Sequence, residues 1–227
     1  MTSLQSLSAA VVPAFNAAPT LNMVLKGLKS FFPPMQIIVV DDGSTDATCE
    51  IANSAGVVVL RHERNAGKGR ALASGFAYAR KNLSVETVLT LDADMQHAPS
   101  DIPLFFEEYE RASPDLIIGY RKRIGVGMPI HRILSNTLTS ALVSARTGLA
   151  IRDSQCGFRL IRTSVLEEVG MDSPGYEAET EFVIRAAQKG FVVSFVAIQT
   201  LYGAEKSAMT NWTTTRRFIN VLFHDYS

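Results

Sequence analysis

Short apolar runs rich in β-branched residues recur along the chain: AAVVP, QIIVVD, VVVLRH, TVLTLD and DLIIGY. Stretches with helical spacing separate them, and strands alternating with helices predict βαβ units and a mostly parallel sheet. The run Ile37 to Val40 has no polar interruption, as in a sheet covered on both faces. These strands are expected at the centre of the sheet rather than at its edge.

Between the strands, Leu21, Val24, Leu25 and Leu28 share one face of a helix over Thr20 to Phe31, which Pro33-Pro34 closes. Ser44 or Thr45 is expected to cap a helix over Asp46 to Ala55, with Gly56 as its terminator. A third helix is expected over Gly67 to Lys81, and a fourth, DIPLFFEEYERA, opens after Ser100 with Pro103 in its first turn. Met128 to Arg146, ended near Gly148, and Tyr176 to Gln188 read as two more helices, and FVVSFVAI as a strand. NWTTTRRFINVLF reads as an amphipathic helix that offers Trp212, Phe218, Ile219 and Leu222 to a core, a partner or a membrane surface. No internal repeat or low-complexity segment interrupts the pattern.

Composition narrows this picture. With 227 residues, 47% of them hydrophobic, the chain suits one α/β domain with a substantial core. Lys plus Arg and Asp plus Glu number 22 each, so net charge gives no reason to expect a nucleic-acid partner. Cys49 and Cys156 form no CxxC pair and read as free thiols in a reducing, cytoplasmic compartment. The apolar run AAVVPAF is too short for a signal core, and no stretch reaches the roughly 18 residues a spanning helix needs.

In an open parallel sheet, ligands collect beyond the carboxyl ends of the strands. Three polar clusters fall there: Pro13-Ala14-Phe15-Asn16, Asp41-Asp42-Gly43-Ser44 and Asp92-Ala93-Asp94. An isolated DxD is commonly a solvated turn. Here an apolar strand delivers two carboxylates to one edge, where a divalent cation most directly relieves their repulsion. Mg²⁺ or Mn²⁺ suits such oxygen ligands, and a cation bridging Asp94 to a diphosphate would neutralise charge on a leaving group. Asp41 or Asp42 could accept hydrogen bonds from a ribose or nucleobase. RNAGKGRA lacks the first Gly and the final Ser or Thr of a Walker A loop, and neither GKGRAL nor GVGMPI completes GxGxxG.

The ordered set VVPAFN, IIVVDDGSTD, RNAGKGRALASGF, LTLDADMQH, DLIIGYR, HRILSN, DSQCGFRLIR and EAETEFVIRAAQKGF resembles family-2 glycosyltransferases of the A-type fold. Within that family it is most similar to dolichyl- and polyprenyl-phosphate sugar synthases. The resemblance implies one Rossmann-like domain with a mostly parallel sheet between helices. Residues 9–125 would form a donor and metal half, 126–206 an acceptor side, and 207–227 an amphipathic tail. It also implies a nucleotide-diphosphate sugar donor, a divalent cation, inversion at the anomeric carbon and a polyprenyl-phosphate acceptor. Pro13, Phe15, Asn16, Asp41 and Asp42 would hold the nucleoside, with Lys68 on the same edge. Asp92, Asp94 and Gln96 would surround the metal, Arg121 and Arg132 would hold the acceptor phosphate, and Asp153 begins the motif DSQCGFR. Lys206 would help to hold the donor diphosphate.

A phosphate acceptor is already anionic and attacks without a general base, whereas a hydroxyl needs one. Asp153, Glu179 and Glu181 are the candidates. Glu177, Glu179 and Glu181 cannot all face one crevice, since helical residues two apart diverge by about 200°. Two departures from the family pattern stand out: Ala17 replaces an acidic residue, and Tyr120 replaces the Ser of Gly-Ser-Arg. A lipid acceptor would need peripheral attachment through the Met128 to Arg146 helix and FINVLF, or a membrane-protein partner. The competing readings are transfer to a soluble hydroxyl acceptor and a noncatalytic nucleotide-sugar-binding module.

Overall fold

The computed structural model describes residues 6–121, 130–199, 212–224 and 226, without the side chains of 130–135 and 212–215. Its strands are β1 (Ser8–Ala14), β2 (Ile37–Asp41), β3 (Val58–Arg61), β4 (Thr87–Thr90), β5 (Leu116–Arg121), β6 (Arg159–Arg162) and β7 (Val193–Ile198). They form one sheet in the order β3-β2-β1-β4-β6-β5-β7. Every pairing is parallel except those of β6, which runs against both β4 and β5.

The helices are α1 (Ala18–Leu28), α2 (Thr48–Ser54), α3 (Lys68–Asn82), α4 (Ile102–Ala112), α5 (Ile130–Thr147), α6 (Thr163–Glu168), α7 (Ala178–Gln188) and α8 (Trp212–Phe223). The apolar face expected of the first helix is the one buried: Leu21, Val24, Leu25 and Leu28. All of β2 is buried, as its unbroken apolar run requires. The central placement does not extend to β3, an edge strand whose residues are only half-buried or exposed. Its sequence resembles that of β2, but among the described strands it pairs on one side only, with β2.

The expected cap of α2 is also corrected. The helix starts at Thr48, and Asp46 accepts the Thr48 amide at 3.0 Å through Oδ1. Ser44 instead accepts the Asn16 amide at 2.9 Å, so its hydroxyl ties the β2 turn to the β1 turn. Gly56 has φ 69°, the left-handed backbone expected of a helix terminator.

Phe32, Phe105, Phe158 and Phe182 are among the largest fully buried side chains, and each contributes about 2–3 kcal/mol by leaving water. Phe105 of α4 and Phe158 have ring centroids 4.3 Å apart, fixing the segment before β6 against the helix layer. In α8, Phe218, Val221 and Leu222 pack inward while Ile219 and Phe223 remain exposed. Among the described residues, no helix is long and apolar enough to cross a membrane.

Candidate functional site

The reversed strand decides which loops meet. Parallel strands β1, β2, β4 and β5 end at one edge of the sheet, and antiparallel β6 begins there. The segment 153–158 leading into β6 therefore reaches the same edge as the segments leaving its neighbours.

At the ends of β1 and β2, Phe15 is 48% exposed, which leaves an aromatic face open beside the strand ends. Pro13 is half-buried within β1. Asn16 adopts φ 49° and its Oδ1 accepts the Thr45 amide at 2.9 Å, bracing the Gly43–Asp46 turn. Asp41 and Asp42 have different jobs. Asp41 Oδ1 accepts the Ser44 amide at 2.9 Å, and its Oδ2, 3.3 Å from Arg61 Nε, makes no aligned hydrogen bond among the described residues. Asp42 turns inward and accepts from the amides of Ala66 and Gly67 at 2.9 and 2.8 Å, with His62 Nδ1 at 2.6 Å. Its geometry anchors the 62–67 loop, where the sequence pattern suggested a nucleoside contact.

Lys68 opens α3 and places Nζ 2.7 Å from Asp92 Oδ1 and 2.9 Å from Glu179 Oε2. Burial disfavours the ammonium, but the two carboxylates outweigh it and hold the Lys68 pKa well above its ordinary value. Asp92 answers in kind: burial raises its pKa, and Lys68, followed by His97, brings it below the usual carboxylate value.

The glycines beside Lys68 serve docking. Gly69 N donates to Pro174 O at 2.8 Å, so a carbonyl plugs the α3 amino terminus that a phosphate loop would leave open. A Cβ on Gly67, which has φ 99°, would lie 2.3 Å from that carbonyl. Glu181 holds the other side of the contact by accepting the amides of Asp172 and Ser173 at 3.1 and 2.8 Å. Glu177 accepts the Gly175 amide at 3.3 Å. Of the three glutamates, Glu179 faces the site, and the other two shape the 172–175 segment.

After β4 the chain turns sharply. Met95 adopts φ 60°, and Gln96 N donates to Asp94 Oδ1 at 2.9 Å. Thr20 of α1 donates to Ala93 O at 2.6 Å, pinning the turn from the other side. Gly157 lets the β6 approach pass close, since a Cβ there would sit 2.5 Å from Asp92 Oδ2. His97 is buried, and burial pushes its pKa down to about 4 although the Asp92 charge opposes the shift. Its imidazole is therefore neutral near neutral pH, with Nδ1 lacking a hydrogen-bond partner among the described residues and Nε2 3.8 Å from Cys156 Sγ.

The donor set Asp92, Asp94 and Gln96 is all oxygen and half-buried at the sheet edge, which suits a hard divalent cation with further ligands from a substrate. Asp92 already faces the Lys68 ammonium, and Asp94 Oδ1 accepts the Gln96 amide. No group of three His, Cys, Asp or Glu side chains forms a closed metal cage among the described residues. The fit is to an open, substrate-completed site.

Arg121 ends β5 and grips Asp153 through two bonds, Nε to Oδ2 at 2.8 Å and Nη2 to Oδ1 at 3.1 Å. Arg152 stacks on Tyr120 with its guanidinium carbon 4.8 Å from the ring centroid, so the large residue at position 120 is part of a paired packing arrangement. The side chain of Arg132 and all of Lys206 lie outside the described residues.

Two organisers are not legible in the sequence. Arg159 is buried and donates to three carbonyls, Cys156, Ser154 and Glu179, at 2.8, 3.0 and 2.8 Å. It joins the β6 approach to the start of α7. The signal was the arginine closing DSQCGFR, but nothing in the spacing says that it points inward. Glu179, a candidate base by its position in the sequence, is the second partner of Lys68.

Comparison with known proteins fits this arrangement. The family model described as glycosyl transferase family 2 matches residues 9–170. An uncharacterized protein of Methanocaldococcus jannaschii is 34% identical over 223 residues, covering 94% of this chain and 88% of its own. Polyprenol monophosphomannose synthase of Mycolicibacterium smegmatis is 29% identical over 201 residues, covering 83% and 75%. Glucosyl-3-phosphoglycerate synthase from Mycobacterium tuberculosis, solved with Mn²⁺, uridine diphosphate and glucosyl-3-phosphoglycerate, superposes with a TM-score of 0.75 at 21% identity. That match covers 95% of this chain and 78% of the other, and at this identity it speaks for the fold.

Proposed function

Because the chain belongs to glycosyl transferase family 2, we propose that it moves a sugar from a nucleotide-diphosphate sugar to a polyprenyl-type lipid phosphate, with Mg²⁺ or Mn²⁺ as cofactor. One observation carries the choice of acceptor. All three carboxylates considered as general bases are committed to cations: Asp153 to Arg121, Glu179 to Lys68 and Glu181 to Arg185 at 3.2 Å. A hydroxyl acceptor needs a base within reach, whereas a phosphomonoester brings its own negative oxygen. The polyprenol monophosphomannose synthase among the relatives supports the same choice.

In this reading Phe15 offers a face to the nucleobase, and Asn16 and Asp41 shape the ribose and base edge. Asp42 acts through the loop it holds. Lys68 keeps Asp92 charged and oriented beside the diphosphate. Asp94, with Asp92 and Gln96, would hold the cation, which supplies charge neutralisation at the leaving diphosphate. Arg121, held in place by Asp153, would contribute positive charge beside the acceptor phosphate, with Arg132 as a second cation and Lys206 on the donor side.

Access to a lipid is supported by α5 and α8. Neither carries an acidic residue, and Leu138, Leu142, Ile219 and Phe223 are exposed on them. The deciding experiment incubates the purified chain with labelled nucleotide sugars, Mn²⁺ and undecaprenyl or dolichyl phosphate. Label in the organic phase supports the assignment, and label confined to water-soluble product removes the lipid acceptor.

A further inference from the structure

Away from the carboxylate turn, an open concavity of about 820 Å³ lies between the 62–67 loop and the outer face of α3. Its polar wall is His62, Arg64, Asn65, Arg70 and Ser74, and no lining residue is acidic. We infer that this concavity is a second binding site, for a small phosphate-bearing anion.

The arginines stand apart from most others in the molecule. Arg61, Arg111, Arg121, Arg162, Arg185 and Arg217 each face a carboxylate, and Arg159 is consumed by carbonyls. Neither Arg64 nor Arg70 has an ion pair or a side-chain hydrogen bond among the described residues, and both are exposed. Two unpaired guanidinium forks bordering one concavity provide a positive field and the donor geometry that phosphate oxygens match.

The rest of the wall is ordered for the same task. Asp42 fixes His62 through Nδ1 at 2.6 Å, and His62 Nε2 lies 3.0 Å from Ser74 Oγ. This Asp-His-Ser relay is not a nucleophile constellation, because Ser74 sits inside α3, whose backbone amides are spent on the helix. It does hold a hydroxyl and an imidazole at defined positions on the wall. Ala73 and Ala77 keep the floor shallow.

The site does not depend on the transfer reaction proposed above, so its test is read separately. Inorganic phosphate and pyrophosphate are titrated into the full chain while the His62 imidazole signal is followed by NMR, assigned with His62→Gln. The expected result is a saturable shift of that signal in the wild type and in Arg121→Ala. In the folded double variant Arg64→Ala/Arg70→Ala, apparent affinity should fall at least about tenfold. Thermal melting confirms folding of each variant, and the single variants Arg64→Ala and Arg70→Ala replace the double variant should it fail to fold. A His62 signal that does not respond in the wild type, or responds equally in the arginine variants, overturns the site. So does a response lost in Arg121→Ala, which would place the anion at the strand ends instead.

Discussion

Lys68 Nζ lies between two acidic partners, 2.7 Å from Asp92 and 2.9 Å from Glu179, and so joins the first turn of α3 to the end of β4 and the start of α7. The three side chains are largely shielded from water, and the balance holds only with the cation in place.

Lys68→Met is expected to destabilise the fold by about 3–5 kcal/mol in urea unfolding, because it leaves two shielded carboxylates facing one another. The pH dependence follows from Asp92, whose folded pKa lies below the ordinary 3.8. Its stabilisation is complete above that ordinary value and is lost as pH falls through the folded one. The variant lacks this contribution, so the gap between the two proteins should narrow below about pH 4. A gap that stays constant from neutral pH to acid would remove Lys68 as the charge partner.

Gly67 and Gly56 provide a controlled pair. Both have positive φ, but a Cβ at position 56 meets nothing within 4 Å, whereas at 67 it meets the Pro174 carbonyl at 2.3 Å. Gly56→Ala should cost about 1 kcal/mol and Gly67→Ala at least about twice that. Equal costs by thermal or chemical unfolding would mean that α3 does not dock on the 172–175 segment.

Arg121→Ala should raise the half-saturating concentration of a phosphate acceptor far more than that of the donor, measured separately by calorimetry and initial rates. Arg121→Lys should not restore it, since a single ammonium cannot reproduce the two-bond grip on Asp153. Recovery of the wild-type acceptor dependence with lysine would reduce Arg121 to a diffuse positive charge.

Chelation of divalent cations should abolish turnover, and Mn²⁺ or Mg²⁺ should restore it. Asp94→Asn should lower the rate by at least about 100-fold at saturating metal. Mn²⁺ binding followed by electron paramagnetic resonance should weaken in parallel. Unchanged binding in that variant would move the cation elsewhere.

The thiols should separate cleanly. Cys156 is buried and its pKa is pushed up to about 12 by burial and then by the Asp153 charge, whereas Cys49 is half-buried. A thiol reagent is expected to modify Cys49 in the native protein and both residues after denaturation. Rapid native labelling of Cys156 would contradict the packing around His97.

Much of this architecture is legible in the pattern of apolar positions. The β2 run, the buried face of α1 and the acidic turn after β4 follow from spacing and strand ends. The antiparallel β6 does not, because Arg159–Arg162 is four residues long and carries an arginine at each end. Arg159 meets carbonyls of the preceding 154–156 segment and of Glu179 in α7, a convergence that no local pattern encodes. The different fates of Asp41 and Asp42 are likewise tertiary: adjacent acids look alike until one meets the 62–67 loop. The expected Ser44 or Thr45 cap failed for the same reason, as the Asn16 turn competes for those groups.

Because β6 runs backwards, Asp153 and Gly157 enter the working edge ahead of their strand, and Glu179 arrives later still. A nascent chain that had emerged only through β5 would expose Asp92 and Asp94 with Lys68 half-partnered and Arg121 without Asp153. The acidic turn acquires its full set of neighbours only when the second half of the chain closes over the first. The charge balance of this edge therefore depends on residues from 68 to 179 of the chain meeting in one place.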